Sequence, residues 1–424
     1  MEKKVLKNTP LGLLPKEWEI KKIGEMNFDI SDGNYSSRYP KSSDFRNKGV
    51  PFIRANNIKN MKVIDDDMRF ISESLHAELL SGHLKKDDIL ITTRGDIGNI
   101  AFVPNKHIES NINAQIVRIN TNCVVNHIFL GYFLSHSSIQ KLIKGAETGS
   151  ALKQLPKGRL YKLPVAVPPL PEQIAIAKVL SDVDAMIEAQ EALIEKKRLI
   201  KQGGIQELLT GKRRLPGFSG EWKEASLEEL GEISSAGVDK KIRKDEIPVR
   251  LLNYMDVYSK DFVTSKDLKQ KVTAPIQKAH KCSVQKGDVF FTPSSETPND
   301  IANSAVSLED IKDGTYSYHI VRFRLSESKK WDLLFCSYIF KTKFFLDQAE
   351  KICAGSGQRY VINLSGFQKL RIKFPEDKKE QQGISEIIFN IDNEIDLLNK
   401  RLEKFVLIKQ GMMQELLTGR TRLV

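Results

Sequence analysis

The chain repeats itself. Ile200 to Leu215 reads IKQGGIQELLTGKRRL and Ile408 to Leu423 reads IKQGMMQELLTGRTRL, identical at 12 of 16 positions with a constant offset of 208. A match of that length constrains the architecture before any motif is weighed, because it makes the 424 residues two copies of one unit of roughly 200 residues. Weaker echoes keep nearly the same spacing: Trp18 with Trp222, Gly24-Glu25 with Gly231-Glu232, Ile116-Val117-Arg118 with Ile320-Val321-Arg322, Gly149-Ser150 with Gly355-Ser356, and Glu172-Gln173 with Glu380-Gln381. Between these landmarks the copies have diverged strongly. One architecture therefore carries two different surfaces.

Each unit divides in two. Residues 1–170 and 213–376 mix β-rich runs such as DDILITT (from Asp87), AQIVRI (from Ala114), DVFFT (from Asp288) and HIVRFRL (from His319) with loops and short helical patterns, as in globular α/β modules. Residues 171–212 and 377–424 are proline-free almost throughout and read as helix, from Glu172 to about Thr210 and from about Lys378 to Thr418. In the first, Ile176, Leu180, Val183, Ile187, Gln190 and Ile194 follow 4-3 spacing; in the second, Ile384, Ile388, Ile391, Ile395, Leu398, Leu402 and Phe405 do the same. That is an a/d seam. A helix of roughly 33–40 residues is about 50–60 Å long at 1.5 Å per residue, and its seam needs a partner. The economical arrangement is an antiparallel pair related by a pseudo-twofold, with the modules at opposite ends of a rod; packing of each helix on its own module is the alternative. The expected fold class is α+β, two pseudo-repeated α/β modules joined by two long antiparallel coiled-coil helices.

The net charge of +12 is unevenly placed. Residues 1–170 hold 25 basic and 17 acidic side chains (+8), 171–212 hold 6 and 7 (−1), 213–376 hold 27 and 22 (+5), and 377–424 hold 8 and 8 (0). The basic excess lies on the globular modules, as expected if they meet phosphates while the helices hold them apart. No apolar run approaches the roughly 20 residues of a membrane span, and the amino terminus lacks the apolar core of a signal peptide. A cytosolic location follows. The four cysteines lack CxxC spacing, which points to reduced thiols.

Catalytic patterns are missing. There is no Asn/Asp-Pro-Pro-aromatic motif of an adenine methyltransferase, since Pro168-Pro169 are followed by leucine at a helix entry, and there is no GxxxxGK[ST] phosphate loop. Glu195-Lys196-Lys197 has the ExK form of a nuclease but sits in a charged helix without an upstream Pro-Asp. Ser150 to Lys153 spells SxxK without its companion motifs, and the counterpart at Gly355 to Gln358 loses the lysine. The seven histidines, His76, His83, His107, His127, His136, His280 and His319, show no metal-ligand spacing. No metal or organic cofactor is implied.

Several segments, in order and duplicated, carry a family likeness: LLPKEWEIKKIGE (from Leu13) and LPGFSGEWKEASLEELGE (from Leu215), DDILITTRGDIGN (from Asp87) and GDVFFTPSSETPNDI (from Gly287), LPVAVPPLPEQIAIAKVLSDVDAMI (from Leu163), and the two QELLTG helix ends. Over essentially its full length the chain resembles the DNA-specificity subunit of type I restriction–modification enzymes. The resemblance implies two target-recognition domains alternating with two conserved helical regions. It implies binding of double-stranded DNA at a bipartite site, one half per domain, and assembly with two modification (methyltransferase) subunits and two restriction (translocase and endonuclease) subunits that hold the catalytic activities. In the second copy the proline-rich helix entry has become KFPEDKKEQ, which leaves the start of the distal helix open. A structural coiled-coil DNA-binding adaptor outside a restriction system is the competing reading.

Reading bases takes forked donors or amide pairs near base edges, whereas phosphates need only positive or donor groups. In the first module the loops around 31–40, 52–58, 92–96 and 148–159 offer Arg38, Tyr39, Arg54, Asn56, Asn57, Arg94, Lys153, Gln154, Lys157 and Arg159. In the second, Arg250, Asn253, Tyr254, Ser294, Ser295, Thr297, Gln358, Arg359 and Tyr360 occupy the corresponding places. For any one of them a solvated loop side chain or a local turn bond is an equal reading; the set is what points to DNA. The Leu208-Leu209 and Leu416-Leu417 pairs are expected to be exposed for docking of the modification subunit, or else to pack the helix ends within the chain.

Overall fold

The computed structural model describes residues 6–148 and 153–423. Packing gathers them into two compact units, one formed by residues up to Glu191 together with those from Arg401 onward, the other by Ala192–Lys400. This partition cuts across the four sequence segments because each long helix contributes one stretch to each unit. The central helix spans Leu170–Leu208 and the distal helix Lys378–Leu416, so the repeat offset of 208 holds at both ends of both. The loss of the PPLPEQ entry in the second copy has not moved the helix start.

In the first unit a six-stranded sheet runs in the order Asp29–Asp32, Ile116–Asn120, Ile89–Thr92, Ile100–Phe102, Met61–Val63, Ile58–Lys59. Its centre is antiparallel, with Val117 opposite Ile91, and one parallel pair joins Ile100–Phe102 to Met61–Val63. A smaller sheet of Asn111–Ile112, Val50–Ile53 and Arg69–Ile71 lies beside it in the chain order of the same module. The second unit repeats this plan with a five-stranded sheet (Gly231–Ser234, Val321–Leu325, Val289–Phe291, Ser304–Ser307, Phe262–Val263) and a four-stranded one (Gln270–Ala274, Ile247–Leu252, Ile311–Tyr316, Ser283–Val284). The runs ILIT, IVRI, VFF and VRFRL are the inner strands of the larger sheets. They are covered on both faces, so ILIT and VFF read as near-continuous apolar runs, while the inner strands IVRI and VRFRL carry the buried Arg118 and Arg322.

The helix seam is buried unit by unit. Ile176 and Leu180 join Leu416 and Leu417 in the core of the first unit, while Ile384 and Ile388 join Leu208 and Leu209 in the core of the second. Ile194, Ile395 and Gln190 are buried as well, and Val183, Ile187, Ile391, Leu398, Leu402 and Phe405 are half-buried. The helices therefore pair antiparallel, the start of one beside the end of the other. The two Leu-Leu pairs are not exposed for docking, as the sequence allowed; they close the module cores, at 8% and 2% exposure for Leu208 and Leu209 and 4% and 2% for Leu416 and Leu417.

The same polar bonds recur in both units. Glu172 of the central helix is fully buried and takes two bonds from the Arg422 guanidinium plus one from Trp18 Nε1 at 3.0 Å. Glu380 of the distal helix takes two bonds from Arg214, at 2.6 and 2.7 Å. Gln173 accepts from the Asn126 backbone N–H and donates to Pro168 O; Gln381 accepts from Asp332 N–H and donates to Pro375 O. Tyr132 donates to Asp184, which also binds Lys409, and Tyr338 donates to Asp392, which also binds Lys201. In each unit the repeated Glu fastens the start of one helix to the segment that follows the end of the other, and the Gln after it ties that helix start to the module. One partner differs: the Trp222 indole N–H, counterpart of Trp18, has no acceptor among the described residues.

Candidate nucleic-acid interface

The loops of the first module converge. Lys157 meets Asp32 at 3.2 Å, and Leu155 N–H bonds Thr93 O at 2.8 Å. Arg94 pairs with Gln154 as an isolated antiparallel bridge, and Gln154 exchanges backbone bonds with Thr148. Residues 149–152 of this loop, including Ser150 of the SxxK pattern, lie outside the described residues. Tyr39 packs edge-on against Phe52 with ring centroids 6.0 Å apart. Burial pushes its phenol above the ordinary value, opposed by a bond to the Ala114 backbone and by the charges of Arg54 and Arg94, which places both arginines near its ring.

Within this cluster the side chains divide by what already holds them. Asn57 is fully buried: its carbonyl accepts from Arg54 N–H, and its amide donates to Ile64 O and Asp66 O. It shapes the loop and offers nothing to a ligand. Arg54 spends its guanidinium on Asp67, at 2.7 Å to the carboxylate, and Arg38 donates to Glu78 O at 3.3 Å. Lys153 pairs with Glu147 at 3.3 Å. Asn56, Arg94, Gln154 and Arg159 are exposed, and no ion pair among the described residues involves Arg94 or Arg159.

The second module has the same frame and different tips. Ser294–Ser295, Arg359–Val361 and Ala354–Ser356 form a three-stranded ribbon, with Ser294 opposite Val361 where the first module has Arg94 opposite Gln154. Ile362 N–H bonds Pro293 O just as Leu155 N–H bonds Thr93 O. Gln358 and Arg359 are exposed at the ribbon's turn, where Gly357 has φ +71. Tyr360 is half-buried in the ribbon and Thr297 exposed, its carbonyl accepting from the Ser295 hydroxyl. Tyr254 donates to Ser294 O at 2.6 Å and stacks on Tyr258, 6.0 Å centroid to centroid. Asn253 initiates the short helix Tyr254–Tyr258, its backbone N–H bonded to Asp256. Arg250 is committed within its own sheet, doubly bonded to the exposed Asp313 across two parallel strands and donating to Ser265 O at 2.6 Å.

One pair of positions escaped the sequence reading. Asn113 accepts from Gln115 N–H at 3.1 Å, and Ser317 accepts from His319 N–H at 3.3 Å, the same turn immediately before the Ile-Val-Arg echo in each module. In both, a glycine lies so close to that turn that a Cβ could not fit: Gly33 against Ile112 O and Gly237 against the Ser317 carbonyl carbon. The turn presents exposed Gln115 in one module and half-buried His319 beside exposed Tyr318 in the other. Arg359 lies near His319, whose proton affinity is lowered by burial first and by the charges of Lys240 and Arg359 after it. The available signal was the residue immediately before each Ile-Val-Arg.

A family model for the type I restriction modification DNA specificity domain matches residues 15–196 and, a second time, residues 219–405. The chain belongs to the type I restriction–modification DNA specificity family. The specificity subunit of the type I restriction enzyme MjaVIII of Methanocaldococcus jannaschii is 23% identical over 430 residues, covering 96% of this chain and 94% of that one. The putative MjaX specificity subunit of the same organism is 30% identical over 231 residues, covering 50% and 48%. Among solved structures, an S subunit from M. genitalium aligns with a TM-score of 0.54 at 14% identity, covering 94% and 96%, and a chain from a type I R-M complex aligns at 0.57 and 15%, covering 96% and 99%. These likenesses bear on fold, and they agree with the two-module, two-helix plan. As a type I specificity subunit the protein recognises DNA and works with partner subunits. Among the described residues no helix is long and apolar enough to cross a membrane.

Proposed function

We propose that each module reads one half of an asymmetric, bipartite site in double-stranded DNA, through its converged loop tips, and that the chain carries no catalytic activity of its own. Two modification subunits and two restriction subunits supply methyl transfer and cleavage, in the cytoplasm where the DNA lies. The observation that carries this is the contrast between scaffold and tip. The bonds of Gln173, Asp184 and Tyr132 recur at Gln381, Asp392 and Tyr338, and the arginine pair on Glu172 recurs on Glu380, the Trp18 bond alone lacking a counterpart. The tips do not recur: the counterparts of Arg94, Gln154 and Gln115 are Ser294, Val361 and His319. A duplicated frame with unlike tips suits two unlike half-sites, since bidentate arginine favours guanine and a glutamine amide favours adenine. The nuclease-like Glu195-Lys196-Lys197 is absorbed by the helix pair, with Lys197 bound to Glu394 at 2.8 Å.

The test is reconstitution. The purified chain alone should neither transfer methyl groups nor cut DNA, and adding the modification subunit should produce methylation at one asymmetric bipartite sequence, mapped by methylome sequencing. Methyl transfer or cleavage by the isolated chain, or methylation of a single undivided sequence, would overturn the proposal, and specific DNA binding with no methylation on adding the modification subunit would favour a DNA-binding adaptor.

A further inference from the structure

The fold brings together two histidines and a carboxylate whose sequence positions gave no sign of it. His76 stands on the short helix Glu73–Glu78, His83 on the loop that follows, and Glu109 at a turn about 25 residues on. One potential ligand atom from each lies within 4.8 Å of the other two. Backbone bonds hold the last two segments side by side: Glu109 N–H to Leu84 O at 2.8 Å, Leu84 N–H to Ser110 O at 2.9 Å, and a bridge between His83 and Asn111. The imidazoles of His76 and His83 stack, 4.4 Å between centroids and 18° between planes.

A bond chain fixes which nitrogen of His76 bears the proton. The buried Tyr35 hydroxyl donates to Ile112 O at 2.9 Å, so it accepts the Asn111 amide at 3.2 Å. The Asn111 carbonyl oxygen therefore faces His76 Nδ1, 2.6 Å away, and the bond requires a hydrogen on that nitrogen. Nε2 of His76 keeps its lone pair. This is how metal-binding histidines are commonly oriented, by a bond from the second ring nitrogen to an amide, carbonyl or carboxylate. On His83, Nε2 is buried and has no hydrogen-bond partner among the described residues. A buried ring nitrogen without a partner costs free energy unless something binds it.

We propose that His76, His83 and Glu109 form a binding site for a divalent transition-metal ion of zinc's class in the first recognition module. Two imidazoles and one carboxylate with an open fourth position make a common zinc ligand set. Donors around zinc at roughly 2.0–2.2 Å stand about 3.4 Å apart, and each imidazole must aim a nitrogen lone pair at the ion within its own ring plane. Closure therefore needs the His83 ring to swing out of the stack while Asn111 holds His76, together with movement of the exposed Glu109 side chain. The ion ties the helix Glu73–Glu78 to the sheet edge. Arg38 of the candidate DNA-reading loop donates to Glu78 O, so the clamp reaches that loop directly.

The chain stripped with EDTA is titrated with zinc chloride at near-neutral pH, and its cobalt(II) form is examined in the visible region. The wild-type chain should take up one equivalent more than the His76→Ala/His83→Ala double variant and give a four-coordinate cobalt spectrum that the variant lacks. Its melting temperature should rise with zinc, as binding to the native state alone requires. Because the double variant could fail to fold, Glu109→Gln is the second arm: its side chain is exposed, and zinc affinity should fall by about tenfold or more. Equal zinc uptake by the wild type and both variants, or a wild-type chain that takes up no zinc, overturns the site.

Discussion

Asn56 and Asn57 sit one residue apart on the same short turn and have opposite roles. Asn57 is sealed inside and makes three hydrogen bonds to backbone, whereas Asn56 points to solvent. Asn57→Ala should lower stability by about 2–3 kcal/mol in urea unfolding, because backbone groups lose their partners, while Asn56→Ala leaves it unchanged. For the exposed arginines the expectation lies in binding. Arg94→Ala and Arg359→Ala should each weaken cognate DNA binding by about 1–3 kcal/mol at fixed salt if each makes a forked base contact, and unchanged affinity in filter binding would remove that role. Arg250 belongs with Asn57. Its guanidinium, bonded to Asp313, holds that carboxyl below its ordinary value of 3.8. A lowered folded-state pKa stabilises above the unfolded value and is lost as pH falls through the folded one, so Asp313→Asn should flatten the acid limb of the stability curve below about pH 4. The sequence showed which residue types could read DNA. It could not separate Arg94 from Arg250, because only the pairing of strands decides which arginine has an aspartate in reach on the neighbouring strand.

The two long helices were legible almost to the residue, since a 4-3 apolar period is a local signal that needs no knowledge of the partner. Their ends were less so. QELLTG allowed either an exposed docking surface or packing of the helix ends within the chain; the leucines close the cores and the glycine ends the helix. Gly211 and Gly419 have φ +70 and +65, a conformation that costs an L-residue about 1–2 kcal/mol. A Cβ on Gly419 would also stand 2.5 Å from the Pro15 ring and 3.3 Å from Trp18, while one on Gly211 would meet the Trp222 ring at 3.0 Å. Gly419→Ala should therefore destabilise the first unit more than Gly211→Ala destabilises the second, a ranking that urea titration with tryptophan fluorescence can check. The short strands were legible only where buried on both faces. Two-residue strands such as Asn111–Ile112 and Phe262–Val263 exist through their neighbours and carry no pattern of their own.

For the molecule as a whole, the repeat foretold two copies but not how the chain is shared between them. The first unit combines residues up to Glu191 with those from Arg401 onward, and the second is continuous from Ala192 to Lys400. Arg422, bonded to the buried Glu172 and also to Glu17, joins the most distant parts of the sequence within the first unit. Truncation after Lys400 should thus loosen that unit although it leaves the first module's own sequence intact. Hydrogen exchange should show lost protection around Trp18 and residues 170–191, and much less change in 223–374. This shared construction also orders events on the ribosome. The second unit can close as soon as Lys400 has emerged, but the module synthesised first has to wait for the last helical stretch and Arg422 before its core is complete. During translation the earliest-made domain is the last to finish folding, and for that interval its apolar surface at Ile176 and Leu180 stands open to chaperones or to another copy of the nascent chain.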